Sequence, residues 1–394
     1  MSAGPPIEPT TAAGPAADAS SPSERSLDPR RLALGHDPLD RRADLRTVGW
    51  SAVPAQRVLV LIDPTGDAAV VRDPDRSVRL LTVPAPHVPA VPAGFAAAIP
   101  AESSGSGDPS SDGPQAASAP EAAAAPPADP DPADPAPGPE PADPAPGPEP
   151  ADPTAGDILL GADTAGLIWC GRIVDRDDPA VPANTEWANL RTVALRMSED
   201  HRGIFAELVA LANWHRTHTR CPQCGTPTEV AGLGWWRTCP ADGSEHYPRT
   251  DPAVIALLVD DEDNALLGRQ TRWPEGAFST LAGFVEPGES AESAVLREIS
   301  EEVGLHPATA RYLGSQPWPF PASLMLGFHA TIPGIRPEPT PDGDEIAEAR
   351  WISRAELPAL CESREVRLPG RLSIAYHLVR TWYGQELPDE WCRW

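Results

Sequence analysis

The spacing of apolar and polar positions changes period repeatedly along this chain. "RVLVLI" (57–62) and "VRLLTV" (78–83) are short apolar runs separated by turn-rich segments such as "DPTGD". Such runs, bounded by Asp, Pro and Gly, predict strands. "DILLGA" (157–162) and "GLIWCGRI" (166–173) repeat the pattern after a long gap. From about 184 to 216 the spacing becomes that of a helix, clearest in "IFAELVALANWH". Strand–turn–strand patterning returns from "DPAVIALLVDDEDNALLGRQ" (251–270) onward. The stretch 290–303 then reads as a helix. A strand at 324–331, another near 348–352 and a helical stretch from about 369 to 382 close the pattern.

The gap at 101–156 has no apolar period. "PADPAPGPE" stands at 132–140 and again at 141–149, and neither copy has a hydrophobic face to bury. With Pro 51 against Gly 31, part of the chain is expected to stay unfolded, and this tract reads as an extended spacer. Strand-like runs on both sides make it an insertion within one domain. The expected organisation is a disordered tail (1–30), an N-terminal α+β domain (31–216) interrupted by the disordered Pro/Ala-rich insertion (101–156), a cysteine-rich segment (217–250) and a C-terminal α/β domain (251–394).

Charge narrows the partners. The formal net charge is −26, and all 31 basic residues are arginine. The missing lysine, with the Ala and Pro excess, is what codon bias in a GC-rich genome produces. The acidity argues against a long nucleic-acid groove or an anionic membrane surface. No run of roughly 18 apolar residues suggests a membrane span, and "MSAGPPIEPTTAAG" lacks the features of a signal peptide. Six cysteines are too few for a disulfide scaffold in a chain of 394 residues, so a cytoplasmic location is expected.

"GFVEPGESAESAVLREISEEVGL" (283–305) concentrates six glutamates around one arginine. Ser290 suits an N-cap and Gly304 a left-handed stop. Val295, Leu296, Ile299 and Val303 fall on one apolar arc. Glu298, Glu301 and Glu302, at i, i+3 and i+4, form an adjoining acidic face, and like charges at those spacings destabilise a helix by a few tenths of a kcal/mol, roughly, per pair. Arg297 can pair with Glu301 but cannot neutralise the set. Alone, the pattern would be a solvated face. With Gly283 and Gly288 in a tight loop that returns Glu289 beside the helix, it becomes a set of hard oxygen ligands for Mg²⁺ or Mn²⁺, whose charge offsets the repulsion and attracts phosphate.

Gly283, Glu289, Arg297, Glu298, Ile299, Glu301, Glu302, Gly304 and Leu305 occupy every fixed position of the Nudix box, G-x5-E-x7-R-E-U-x-E-E-x-G-U, and the C-terminal domain resembles that family. The resemblance implies a Nudix α/β/α sandwich and hydrolysis of a nucleoside diphosphate linked to another moiety. It implies metal ligation by Glu298, Glu301 and Glu302 and ordering of the loop by Arg297 and Glu289. Glu302 is the carboxylate expected to matter most for activating water.

Downstream, "SQPWPFPAS" (315–323) alternates proline with Trp318 and Phe320. Proline restricts itself and its predecessor, so the aromatics are rigidly placed, either to stack on a planar base or to pack in the core. The segment resembles the NADH pyrophosphatase branch of the Nudix family, whose members split NAD(H) into nicotinamide mononucleotide and AMP and whose bacterial relatives remove NAD caps from RNA. The resemblance extends to Gln316, Tyr247, Ile255, Phe284, Glu345 and Ala375. It implies that Glu345 is a further metal ligand and that Phe284, Tyr247 and Trp318 build a nicotinamide pocket with contributions across a homodimer interface. The partners implied are NADH or NAD⁺, with the NAD-capped 5′ end of RNA as the alternative and no membrane. Hydrolysis of ADP-ribose-type compounds, or an inactive nucleotide sensor, are the remaining readings; the intact box speaks against the sensor.

"CPQCG" gives Cys221 and Cys224 zinc-knuckle spacing. The second half reads "CPADGSEH", so Cys239 is present while Asp242 stands where the branch has cysteine. Three thiolates with Asp242 or His246 would hold a structural zinc in a ribbon-like unit; the alternative is a decayed site that folds without metal.

Overall fold

The computed structural model describes residues 37–47, 57–84 and 157–392, together with Leu27, Leu32, Leu34 and Val53. The tail at 1–30, Leu27 apart, and the tract at 101–156 lie outside the described residues.

In the N-terminal part a four-residue helix, α1 (Ala43–Arg46), precedes β1 (Arg57–Ile62), β2 (Asp67–Arg72), β3 (Val78–Leu80) and β4 (Thr82–Pro84). The run expected as one strand at 78–83 is two: Leu81 turns the corner with its amide on Ala69 O, so β3 pairs with β2 and β4 with β1. β5 (Asp157–Ala162) and β6 (Ile168–Ile173) join the same sheet, β6 lying parallel to β1, in the order β3-β2-β1-β6-β5. Period-two alternation sends Val60 and Ile62 to one face and Leu59 and Leu61 to the other.

The helix expected over 184–216 is shorter. β7 (Glu186–Asn189) pairs with β2, a single turn α2 (Leu190–Val193) follows with Asn189 as its cap, and α3 runs over Glu199–Thr217 with Ser198 as N-cap. Two side-chain caps within ten residues stop and restart the chain, and the free edge of β2 recruits the segment between. α3 buries Ile204, Phe205, Leu208 and Leu211 against the Val60 face.

The cysteine-rich segment forms a three-stranded antiparallel unit of β8 (Glu229–Ala231), β9 (Trp236–Thr238) and β10 (Glu245–His246). Fully buried Arg237 fastens it to α3: it donates to Thr228 Oγ1 and Thr228 O, both at 2.7 Å, and to His215 Nδ1 at 3.2 Å. The other His215 nitrogen, Nε2, donates to Gly234 O.

The C-terminal sheet contains β11 (Asp251–Val259), β12 (Ala265–Gln270), β13 (Leu281–Phe284), β14 (Thr309–Trp318), β15 (Ser323–Thr331) and β16 (Ile346–Ile352), in the order β14-β15-β11-β12-β16 with β13 on β11. Val254, Ala256 and Leu258 of β11 face α4 (Ala291–Val303), whereas Ile255 and Leu257 face α5 (Leu357–Glu362) and α6 (Ile374–Tyr383). Helices on both faces make the α/β/α sandwich expected. The final helix starts at Ile374, not near 369, because Pro369 and Gly370 resist helix and Ser373 supplies the cap. "SQPW" is strand: β14 pairs with β15 through Trp318, and Pro317 is tolerated because β14 is the sheet's edge. No helix among the described residues is long and apolar enough to cross a membrane.

Candidate active site and metal centres

Pro287 and Gly288 occupy the middle of a turn closed by Glu289 N on Glu286 O at 3.1 Å, and Gly288 takes φ +88°, which favours glycine. This turn delivers Glu289 to the start of α4, where Ser290 caps the Ser293 amide; Gly304, at φ +67°, ends the helix. Arg297 is the hub. Its guanidinium donates to both oxygens of Glu289 at 3.0 Å, to Glu298 at 2.9 Å, to Glu301 at 2.8 Å and to the Phe284 carbonyl at 2.9 Å. The Glu289 carboxylate on one side and the guanidinium on the other hold each other ionised: the Glu289 pKa is lowered and that of Arg297 raised, each chiefly by their mutual hydrogen bonds. The close approach of Glu298 to β13 explains Gly283, since a Cβ there would collide with the Glu298 carboxylate.

The three α4 glutamates do not share one face. Glu301 is 61% exposed and Glu298 15% exposed, whereas Glu302 is buried. Leu296, expected on the buried arc, is only half-buried, and Ala294 takes its place in the core beside Val295, Ile299 and Val303. Glu302 Oε2 has no hydrogen-bond partner among the described residues. Burial, then the nearby Glu345 and Glu298 carboxylates, push the Glu302 pKa up to about 9. Burial likewise raises that of Glu298. Glu345 reaches the cluster from the loop before β16. The Asp342 amide donates to Glu302 O at 3.1 Å, the Asp342 carboxylate accepts from the amides of Glu345 and Ile346, and Gln270 Nε2 donates to Glu345 Oε1 at 3.1 Å. An orphaned, buried acceptor among other carboxylates fits a divalent cation, which would relieve both the desolvation and the repulsion.

Glu302 also lines a cavity of about 500 Å³. Ile255, Gln316 and Trp318 are on its wall. Gln316 is fully buried with both ends of its amide in use: Nε2 donates to Leu372 O at 2.9 Å and Oε1 accepts from Ile374 N at 2.7 Å, tying β14 to the start of α6. Trp318 meets Phe320 edge-on at 5.2 Å. Phe284 and Tyr247 do not line the cavity; each is 59% exposed, and the Tyr247 hydroxyl bonds Glu245. Ala375 is buried in the first turn of α6, also off the cavity.

Several lining residues carried no motif signal. Arg191, from the turn α2, lies 4.1 Å above the Phe320 ring and 5.6 Å from that of Trp318, and burial lowers its pKa. Arg272 and Trp273 line the cavity from the loop after β12, and Thr280 carries a buried hydroxyl without a partner among the described residues. Only the Arg-Trp pair in "QTRWPEG" could have hinted at this wall; Arg191 comes from α2, far upstream of the box.

At the cysteine cluster, ligand atoms of Cys221, Cys224, Cys239 and Asp242 all lie within 4.8 Å of one another, the one such group among the described residues. Two matching turns build it, with Gly225 N on Cys221 O and Gly243 N on Cys239 O, both at 2.9 Å. Asp242 stands 3.4 Å from Cys221 Sγ, while His246 is outside the group with Nε2 on Ser244 Oγ. Three thiol donors and one carboxylate in a closed set fit a structural zinc.

The model of the NUDIX domain matches residues 249–369, and that of the NADH pyrophosphatase zinc ribbon domain matches residues 216–247. The chain belongs to the Nudix hydrolases. A protein of Mycobacterium tuberculosis (strain H37Rv) named NAD-capped RNA hydrolase NudC is 45% identical over 217 residues, covering 53% of this chain and 68% of the relative. A second of that name, from Stutzerimonas stutzeri, is 39% identical over 215 residues, covering 55% and 74%. Among solved structures, a NUDIX hydrolase from Nitrosomonas europaea is 21% identical with a TM-score of 0.32, covering 43% of this chain and 94% of that one.

Proposed function

We propose that this chain hydrolyses the pyrophosphate bond of NAD(H) to nicotinamide mononucleotide and AMP in a divalent-metal-dependent reaction. One observation carries the reading: a single cavity joins the Ile255 and Trp318 wall, suited to a planar ring, to the buried Glu302 carboxylate, whose Oε2 lacks a partner among the described residues. The names of the two relatives and the ribbon domain's description agree with it.

Glu298, Glu301, Glu302 and Glu345 are the proposed ligands for Mg²⁺ or Mn²⁺. When bound, the metal lowers the pKa of a water and neutralises charge on the diphosphate. Arg297, with Glu289, holds Glu298 and Glu301 in place. Glu302, buried and crowded by carboxylates, has its neutral form favoured, and a bound cation would relieve that crowding. Arg191 and Arg272 present donors to substrate oxygens, and Trp318 stacks with a ring. A cavity of this size suits one mononucleotide half, so the other half extends outward. Phe284 and Tyr247, exposed beyond the cavity, are proposed to complete the nicotinamide side across a homodimer interface, with Ala375 placing backbone at its edge. Cys221, Cys224, Cys239 and Asp242 are proposed to hold zinc. The cytoplasm is the proposed location.

Incubation with NADH and Mn²⁺ or Mg²⁺ should release AMP and the reduced mononucleotide in equal amounts; products from cleavage elsewhere in the molecule would refute the reading. Removal of an NAD cap from RNA is the second reading, favoured by the relatives' name. The acidic, lysine-free surface then limits the grip to the cap and its neighbours. Comparing kcat/KM for NADH and an NAD-capped transcript separates the two.

A further inference from the structure

A second cavity, of about 240 Å³, shares Trp318 with the first. One wall is the face of α3 where Gly203, Ala206 and Ala210 leave space, and another is the extended chain at Pro317 and Pro319. α3 places Glu207 on this cavity with its side chain only 6% exposed. Glu207 Oε1 has no hydrogen-bond partner among the described residues. Oε2 lies 3.8 Å from Arg41 Nη2, beyond hydrogen-bond reach, and Arg41 is committed to Asp37 at 2.9 Å. Trp235, also on the cavity, has its ring fixed by a 2.6 Å hydrogen bond to Leu159 O and by the Arg46 guanidinium 3.4 Å above it. Buried carboxylates in folded proteins have donors. This one is short of a donor, and burial pushes its pKa up to about 7.

We propose that the second cavity is a nucleobase subsite, in which a planar heterocycle lies between α3 and the proline wall and donates an edge N–H to Glu207 Oε1. The volume is below the roughly 300 Å³ at which pockets for drug-sized ligands begin, so it takes a ring and not a whole nucleotide. The base has two sources, the nucleotide joined to the AMP half in a capped RNA or a free nucleoside. The choice of ligand class rests on the reading of the first cavity as a dinucleotide site.

The test uses the full chain with Mn²⁺, NADH, an NAD-capped trinucleotide, and the free nucleosides adenosine, guanosine and cytidine. Tryptophan fluorescence reads nucleoside binding, because Trp235 and Trp318 line the cavity. Glu207→Leu removes the acceptor, and Ala210→Phe fills the slot with Glu207 intact. If the base comes from the RNA, both variants lower kcat/KM for the capped trinucleotide about tenfold or more relative to NADH, whose own turnover stays within about twofold. If it is a free nucleoside, that ratio holds and a saturable fluorescence change of the wild type is lost in both variants. An unchanged ratio together with no saturable response in the wild type, or a response equal in all three proteins, overturns the subsite. Failure of the wild type to cleave NADH would sink the proposed function while the nucleoside titration still decides the subsite.

Discussion

At the cysteine cluster four ligand atoms already converge within 4.8 Å, and short backbone turns hold them there. On α4 the carboxylates are held apart: Arg297 draws Glu289, Glu298 and Glu301 to itself, and Glu302 is left buried with an oxygen unpartnered. The contrast follows from what each site is proposed to do. A structural zinc needs a closed set whose geometry is finished by folding. A cation that must also meet water and a diphosphate needs ligands that remain partly unsatisfied until it arrives.

Glu302→Gln tests the contrast most severely. It should lower turnover by about 10³-fold, since tenfold is 1.36 kcal/mol of barrier and a missing ligand to the reacting cation removes several. Melting of the metal-free protein should not fall, because burial and the neighbouring carboxylates already favour the neutral carboxyl there. Near-normal rates at saturating Mn²⁺ would remove Glu302 from its proposed role. At the closed site the sign reverses. Cys239→Ser should release zinc, measured by elemental analysis, and lower Tm by on the order of 10 °C, while kcat of the surviving folded protein stays within about threefold. Equal Tm with and without zinc would reduce the cluster to packing.

Arg297→Gln should cost about 10- to 100-fold in kcat and raise the metal concentration needed for half-activity, as expected when a group that orients ligands is lost. A change in NADH KM alone would place Arg297 in substrate binding. The smallest effect sharpens the zinc side. Asp242→Ala should weaken zinc retention against a chelator about tenfold or more, whereas His246→Ala should leave it unchanged. The reverse order would move the fourth ligand to His246.

Much of the site was legible in the chain because its chemistry is local. A capped helix, a Pro-Gly turn and a glutamate four residues from its arginine partner are neighbours through covalent geometry alone, and the C-x-x-C spacing shapes a metal turn by itself. Even the burial of Glu302 was available, since it falls seven residues after Val295 and three after Ile299 and so lies on the helix's apolar side. Reading the three glutamates as one face hid it.

By itself, then, the sequence determined the sheet-and-helix alternation of the C-terminal domain, the ends of α4, the Arg297 hub and the C-x-x-C turn at Cys221 and Cys224, because each depends on contacts a few residues apart. Tertiary structure alone decided that "SQPW" is an edge strand, that Gln316 is consumed in tying β14 to α6, that Arg191 arrives from α2, and that Phe284 and Tyr247 stay outside the cavity. It also decided that Asp242, not His246, completes the thiol cluster. These outcomes depend on strand pairing, burial and close packing between segments far apart in the chain, and no local period encodes which distant surface a side chain will meet.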